Sequence, residues 1–93
     1  MKDSEIKKLR KHVDQVDKGI VSLLNKRFNL IERIGIYKKK NNVSVRDVQR
    51  EKEMMEERKR WAKVYNVGES FVEKLFSVLF SEARNKQRDI IKK

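Results

Sequence analysis

A long proline-free stretch, residues 5–40, limits most strongly what this chain can fold into. Its apolar residues recur at steps of three and four, which is the spacing of one buried helix face. They are Ile6, Leu9, Val13, Val16, Ile20 and Leu23. A helix of this length spans about 54 Å, whereas a compact globule of this chain length is only about 30 Å across. The helix must therefore bend or extend onto a partner chain, and we expect an oligomer that buries the overhang.

Composition also favours a small helical domain that shares its core. The 93 residues are 38% apolar and 42% charged, with no proline and three glycines, which predicts a single all-α domain over residues 1–93. The lack of cysteine excludes disulfides and thiolate metal sites, and the single histidine, His12, is predicted to lie on the surface. We expect no metal and no cofactor. Because no apolar run reaches the length of a membrane span or signal-peptide core, we expect a soluble, cytoplasmic protein.

Start signals divide the chain into three helices, long, short and medium in length. Asp3 or Ser4 can cap the first helix, Asp47 can cap the second, and Ser70 with Glu73 has the capping-box spacing for the third. The predicted helices are residues 4–40, 47–65 and 70–91. Stop signals agree with these bounds. Asn41 and Asn42 follow the first helix, and Asn66-Val67-Gly68 follows the second. Asparagine tolerates the left-handed conformation of a helix end.

The two later helices also carry apolar stripes at helical spacing. The stripe of the second helix consists of Met54, Met55, Arg58, Trp61, Ala62 and Tyr65, and that of the third consists of Val72, Leu75, Phe76, Leu79, Phe80, Ala83, Gln87 and Ile90. The aromatic residues are interpreted as core or dimer contacts.

Polar side chains interrupt these apolar faces at a few positions. Arg27 lies on the stripe of the first helix, and Lys38 follows about 16 Å along its axis. A cation on an apolar face is costly unless an anion meets it, so either an anionic ligand or a carboxylate of another helix is expected there. Gln87 on the third helix has the same two interpretations, a ligand contact or a core amide bonded to a neighbour. Arg10 lies about 25 Å from Arg27 along the helix, so it can reach the same small ligand only from another chain.

The charge balance points to anionic partners. The 25 basic and 14 acidic residues give a formal charge of +11, which suits nucleic acid, an anionic membrane or a small acidic substrate. The chain lacks a catalytic nucleophile arrangement, paired catalytic carboxylates and a glycine-rich phosphate loop. An enzyme of this kind would act by holding an anion in a reactive shape and stabilising the charge that develops.

The polar residues and their spacing resemble a known family. The pieces are Leu9-Arg10, Val16-Asp17, residues 23–27, Lys38, residues 45–51 and Gln87, and together they resemble the all-helical (type II) chorismate mutases. The resemblance implies an intertwined homodimer of three-helix chains with two shared active sites. It also implies the Claisen rearrangement of chorismate to prephenate in phenylalanine and tyrosine biosynthesis, without a covalent intermediate or cofactor.

The resemblance implies a role for each matching residue around the dicarboxylate substrate. Arg27 and the partner's Arg10 would hold the carboxylates. Lys38 and Gln87 would donate hydrogen bonds to the ether oxygen, where negative charge builds as the C–O bond breaks.

Four further residues are implied at the other end of the substrate. Glu51 would accept a hydrogen bond from the ring hydroxyl with help from the backbone near Asp47, and Arg50 would line the site. Ala83 stands where some members carry a serine that contacts the substrate, so that contact is in question here.

Two other functions stay open at this point. Residues 57–62 and 71–76 are similar to a branch of the same fold that removes pyruvate from isochorismate, although the intact set of Asp47, Arg50 and Glu51 favours the mutase. The third reading is a basic helical bundle without enzymatic activity that binds nucleic acid, for which the charge is the only support.

Overall fold

Three α-helices make up the computed structural model, which describes residues 2–92 apart from the Lys2 side chain. They are α1 (Lys2–Lys40), α2 (Val48–Val64) and α3 (Glu69–Lys92), and no strand occurs within the described residues. The prediction of an all-α chain with a long, a short and a medium helix is confirmed.

The helix starts agree with the sequence at α2 and differ at α1 and α3. Asp47 caps α2, because its Oδ1 accepts a hydrogen bond from the Arg50 amide at 2.9 Å. The predicted caps at Asp3 and Ser4 are wrong, since α1 already begins before them. The predicted capping box at Ser70 is wrong as well, because the Gly68 carbonyl makes the first helical bond of α3.

Asparagine ends the first two helices in the left-handed conformation that the sequence predicted. Asn42 has φ 52° and Asn66 has φ 55°. After α1, the Val43 amide donates back to the Lys38 carbonyl at 2.9 Å, which closes the last turn and sets the direction of the loop toward α2.

The residues from Ile31 onward form one compact unit in which α2 packs on α3. Its most buried apolar side chains are Ala62, Val72, Leu79, Phe80 and Ala83, and Gln87 is buried beside them. Most of the predicted α3 stripe is therefore confirmed as the core of this unit, although Leu75 remains 43% exposed.

The residues up to Leu30 form a second unit, which consists of the N-terminal part of α1. Its apolar stripe is exposed rather than buried, with exposed fractions from 48% at Ile6 to 63% at Val16 and Leu23. The described residues of one chain leave this face uncovered, so its burial against a partner chain stays a prediction.

The aromatic side chains divide between the core and the surface. Phe80 is buried and Phe76 is half-buried, with their ring centroids 6.1 Å apart. Trp61, Tyr65 and Phe71 are exposed, so for these three the dimer-contact interpretation stays a prediction and the core interpretation is wrong. None of the helices in the described part of the chain is long and apolar enough to cross a membrane.

Candidate functional site

The centre of the candidate site is a hydrogen-bonded pair between α1 and α3. Lys38 Nζ donates to Gln87 Oε1 at 3.0 Å and to the Val45 carbonyl oxygen at 2.8 Å. Gln87 is only 5% exposed and Lys38 is half-buried, whereas the next two lysines are exposed. Of these three consecutive lysines, only Lys38 therefore faces inward.

This pairing determines which groups remain for a ligand. An ammonium has three N–H groups and no acceptor. The Gln87 amide must therefore turn its carbonyl oxygen, and not its NH2 group, toward Lys38. One Lys38 N–H and the Gln87 NH2 group then remain as donors. A buried site with an ammonium and an amide donor side by side suits an oxygen that gains negative charge.

Gly35 allows α1 to come this close to α3. A Cβ atom at this position would lie 3.3 Å from Gln87 Cγ, 3.4 Å from Gln87 Cα and 3.1 Å from Ile90 Cδ1. The contacts with Ile90 Cδ1 and Gln87 Cγ would be tighter than ordinary carbon contacts, and the contact with Gln87 Cα would lie at their lower limit. The glycine therefore sets the separation at which the Lys38 and Gln87 side chains meet.

Glu51 enters the site from the first turn of α2. Asp47 fixes that turn through its side chain and through its carbonyl, which accepts from the Glu51 amide at 3.0 Å. Glu51 Oε1 accepts from Arg84 NH1 of α3 at 2.6 Å, and the two side chains are about equally buried, 20% and 19% exposed. This ion pair is shorter than those of Lys59 with Glu73, at 3.3 Å, and of Lys63 with Glu69, at 3.4 Å.

Arg84 was not predicted from the sequence. It precedes Gln87 by three positions on α3, so the two side chains lie on neighbouring turns of one helix face, about 4.5 Å apart along the axis. Its three-residue spacing from Gln87 indicates that it lies near the site. Helical periodicity alone does not show which residue a charged side chain at the edge of a stripe will contact. One face of α3 thus carries the hydrogen-bond partners of both Lys38 and Glu51.

An open pocket of about 320 Å³ adjoins the Glu51–Arg84 pair. Its charged lining residues besides this pair are Arg46 and Lys52. Three cations and one carboxylate give the pocket a net positive lining, which attracts anions.

The remaining predicted residues fall into two groups. Arg50 is exposed at the start of α2, and Ala83 is buried in the core of the α2–α3 unit, where its methyl group offers no polar contact. Arg10 is exposed and Arg27 is half-buried, and both belong to the unit that ends at Leu30. The structure therefore brings together Lys38 with Gln87, and Asp47 with Glu51, while the contribution of the two arginines stays a prediction.

Arg58 shows that a cation on an apolar stripe need not face a ligand. Its guanidinium carbon lies 4.9 Å from the ring centroid of Trp61, 5.2 Å from that of Phe76 and 5.9 Å from that of Phe80. Burial lowers the pKa of the Arg58 guanidinium, and the neighbouring Glu57 carboxylate opposes that effect. The aromatic rings compensate part of the desolvation of this cation, so its role is in packing.

The chemistry of the site is electrostatic. Within residues 2–92, no three histidine, cysteine, aspartate or glutamate side chains lie close enough together to hold a metal ion. The Lys38–Gln87 pair supplies hydrogen-bond donors and Glu51 supplies a carboxylate acceptor, and such groups can bind an anionic substrate and stabilise charge on it.

Comparisons with known proteins identify a family. The family model for chorismate mutase type II matches residues 9–88. A bifunctional chorismate mutase/prephenate dehydratase of Buchnera aphidicola subsp. Acyrthosiphon pisum (strain APS) is 34% identical over 84 residues, which are 90% of this chain and 22% of that protein. The corresponding bifunctional protein of Aquifex aeolicus (strain VF5) is 44% identical over 52 residues, 56% of this chain and 14% of that protein.

A single-function relative is matched over most of its length. The chorismate mutase of Methanocaldococcus jannaschii is 24% identical over 87 residues, which are 94% of this chain and 88% of the relative. The chain spans only about a fifth of the length of the first bifunctional relative. Because the family model covers most of the chain, and because the helices place Lys38, Glu51 and Gln87 in one unit, the resemblance seen in the sequence is confirmed: this chain belongs to the type II chorismate mutase family.

Proposed function

We propose that this chain is a chorismate mutase, which converts chorismate to prephenate by an intramolecular Claisen rearrangement. Prephenate then leads to phenylalanine and tyrosine. The observation that carries the proposal is the Lys38–Gln87 pair, because a half-buried ammonium and a buried amide are fixed side by side at 3.0 Å. These two donors meet the main electrostatic demand of the reaction.

The reaction needs no nucleophile and no proton transfer. Within one molecule of chorismate the ether C–O bond breaks while a new C–C bond forms, so atoms and electrons balance without a co-reactant. Negative charge builds on the ether oxygen as the C–O bond lengthens. Donors that are already oriented stabilise this charge without the reorganisation that water would require.

Glu51 serves the other end of the substrate in this proposal. One of its oxygens is bonded to Arg84, and a carboxylate has further acceptor positions that can take the ring hydroxyl. The backbone near Asp47 assists, and Arg50 lines the site from the first turn of α2. Ala83 contributes no hydrogen bond, so a carboxylate contact that a serine would make is absent.

A second copy of the chain completes the site. The exposed stripe of α1 runs from Ile6 to Leu23 and needs a covering surface, and an identical helix supplies one. Arg27 and the partner's Arg10 then bind the two carboxylates of the substrate. The functional unit in this proposal is an intertwined homodimer with two shared sites.

The test is an absorbance assay of chorismate loss with purified protein, with the product identified by chromatography. We expect prephenate, at a rate that EDTA does not change, because no step uses a metal. Pyruvate release from isochorismate, without conversion of chorismate, would replace the mutase with the lyase of the same fold. Well-folded protein that turns over neither substrate and binds DNA or RNA in a salt-sensitive manner would favour the nucleic-acid alternative.

A further inference from the structure

The Glu51–Arg84 pair differs from the other α2–α3 ion pairs in length and burial. Arg84 NH1 and Glu51 Oε1 are 2.6 Å apart, and about four fifths of each side chain is covered. The Lys59–Glu73 pair also joins α2 to α3, but it is 3.3 Å long and its side chains are 39% and 51% exposed. Exposed pairs of that kind contribute little, whereas removing one partner of a covered pair leaves the other charge uncompensated.

The charges around Glu51 create a problem that this pair solves. Arg46 and Lys52 line the same pocket as Glu51. An unrestrained carboxylate among these cations would pair with whichever is nearest. Such pairing would turn its oxygens away from the substrate and neutralise a cation that attracts the dicarboxylate.

Arg84 is suited to prevent this. Its guanidinium is a planar donor with a fixed geometry, so it restricts the orientation of the carboxylate more than a lysine would. Its position on the same α3 face as Gln87 ties Glu51 to the helix that also carries the amide donor. The two ends of the substrate are then held by adjacent turns of one rigid element.

We propose that Arg84 is a positioning residue for Glu51, which holds the carboxylate away from the neighbouring cations and keeps one oxygen turned toward the ring hydroxyl. The inference rests on the proposed function. In this proposal Arg84 affects catalysis through its bond to Glu51 and not through the substrate.

The test is a double-mutant cycle with Arg84→Gln, Glu51→Gln and the double variant, in which kcat and KM for chorismate are measured separately. In the wild-type background we expect Arg84→Gln to lower kcat/KM about tenfold, the size of effect that modest misplacement of a binding group produces. In the Glu51→Gln background the same change should alter kcat/KM by no more than about twofold, because no carboxylate remains to be positioned. Arg84→Lys, which keeps the charge without the fork, should fall between wild type and Arg84→Gln.

Lys59→Gln is the matched control, since it removes an α2–α3 ion pair of purely structural character. We expect this variant to keep wild-type kinetics. An equal loss from Arg84→Gln in both backgrounds, or no loss in either, would overturn the inference while the proposed function stands. If Arg84→Gln does not fold by circular dichroism, the cycle is run with Arg84→Lys and the same criterion of coupling applies. If folded wild-type protein does not convert chorismate, the proposed function fails and this inference with it.

Discussion

Lys38 is held at both its backbone and its side chain before any substrate binds. Its carbonyl accepts from the Val43 amide, and its ammonium donates to the Val45 carbonyl and to Gln87 Oε1. The loop after α1 and the buried face of α3 thus fix one ammonium at the end of a flexible side chain. Such preorganisation is what makes a donor more effective in a protein site than in water.

Removing either donor should impair the transition state more than substrate binding. For Lys38→Ala and Gln87→Ala we expect kcat to fall about 10²–10³-fold, the typical cost of losing one donor to a developing oxyanion. Steady-state kinetics measure kcat and KM, and circular dichroism checks the fold. Lys39→Ala is the control, because the Lys39 side chain is exposed and should be dispensable. A variant of Lys38 or Gln87 that keeps near-normal kcat would contradict its assigned role.

Gln87→Glu should make the activity depend on pH. Only the protonated acid can donate to the ether oxygen, and glutamate ordinarily titrates near about pH 4.3. Lys38, whose ammonium lies 3.0 Å from the present amide oxygen, lowers the pKa of a glutamate here, whereas burial of position 87 raises it, so the variant remains mainly ionised only at pH values above its titration. We therefore expect kcat of this variant to rise as pH falls, whereas wild type should vary little over the same range. A variant equally active at neutral and acid pH would show that position 87 does not donate.

At the scale of elements, the separation of α1 and α3 decides whether the two donors meet. Gly35 faces Gln87 and Ile90, and the two tight contacts of an added Cβ would be with Ile90 Cδ1 and Gln87 Cγ. The methyl end of Ile90 can rotate aside, but Gln87 Cγ cannot move without also moving the amide that it carries. Packing at this crossing is therefore linked directly to the geometry of the amide donor.

Gly35→Ala tests this link. Alanine gains up to about 1 kcal/mol of helix propensity over glycine, which offsets the strain of the contact, so we expect little change in Tm. We expect kcat to fall about tenfold because the Gln87 side chain and its amide are displaced by a few tenths of an ångström. Gly68→Ala is the control, since its nearest neighbour would be Phe71 Cβ at 4.0 Å. Unchanged kcat in Gly35→Ala would show that the donor geometry tolerates a wider crossing.

The sequence predicted the elements better than the contacts between them. Periodicity located all three helices, and the left-handed asparagines and the Asp47 cap follow from local backbone chemistry. The α1 and α3 starts were misplaced because capping side chains occur inside helices as well as before them.

The candidate site could be predicted only where a residue conflicts with its helix face. Lys38 and Gln87 do so, since each is a polar residue on an apolar stripe, and they prove to be partners. Arg58 is also a polar residue on an apolar stripe, but it packs among aromatic rings. The sequence pattern does not distinguish such a packing role from a ligand-binding role. Arg84 does not conflict with its surroundings, so its bond to Glu51 depends on the register of α2 against α3 and is visible only in three dimensions.

At the scale of the whole molecule, the exposed stripe of α1 is the feature that a single chain leaves unexplained. Five of its aliphatic side chains between Leu9 and Leu23 are at least half exposed, namely Leu9, Val13, Val16, Ile20 and Leu23. Apolar burial contributes about 25 cal/mol per Å², so covering this face drives association. Since Arg10 lies on the same segment as the stripe, the surface that would join two chains also carries a proposed ligand of the substrate.

The central claim is that chorismate is rearranged at a site shared by two chains, and complementation between two inactive variants tests it most directly. Arg10→Ala and Arg27→Ala are purified, unfolded together in equal amounts and refolded, and chorismate conversion is measured. A mixed dimer carries both lesions in one site and none in the other. Random pairing gives about half mixed dimers, so about a quarter of wild-type activity should return. A mixture that stays as inactive as the separate variants, despite mixed dimers verified by mass spectrometry, would contradict the shared site.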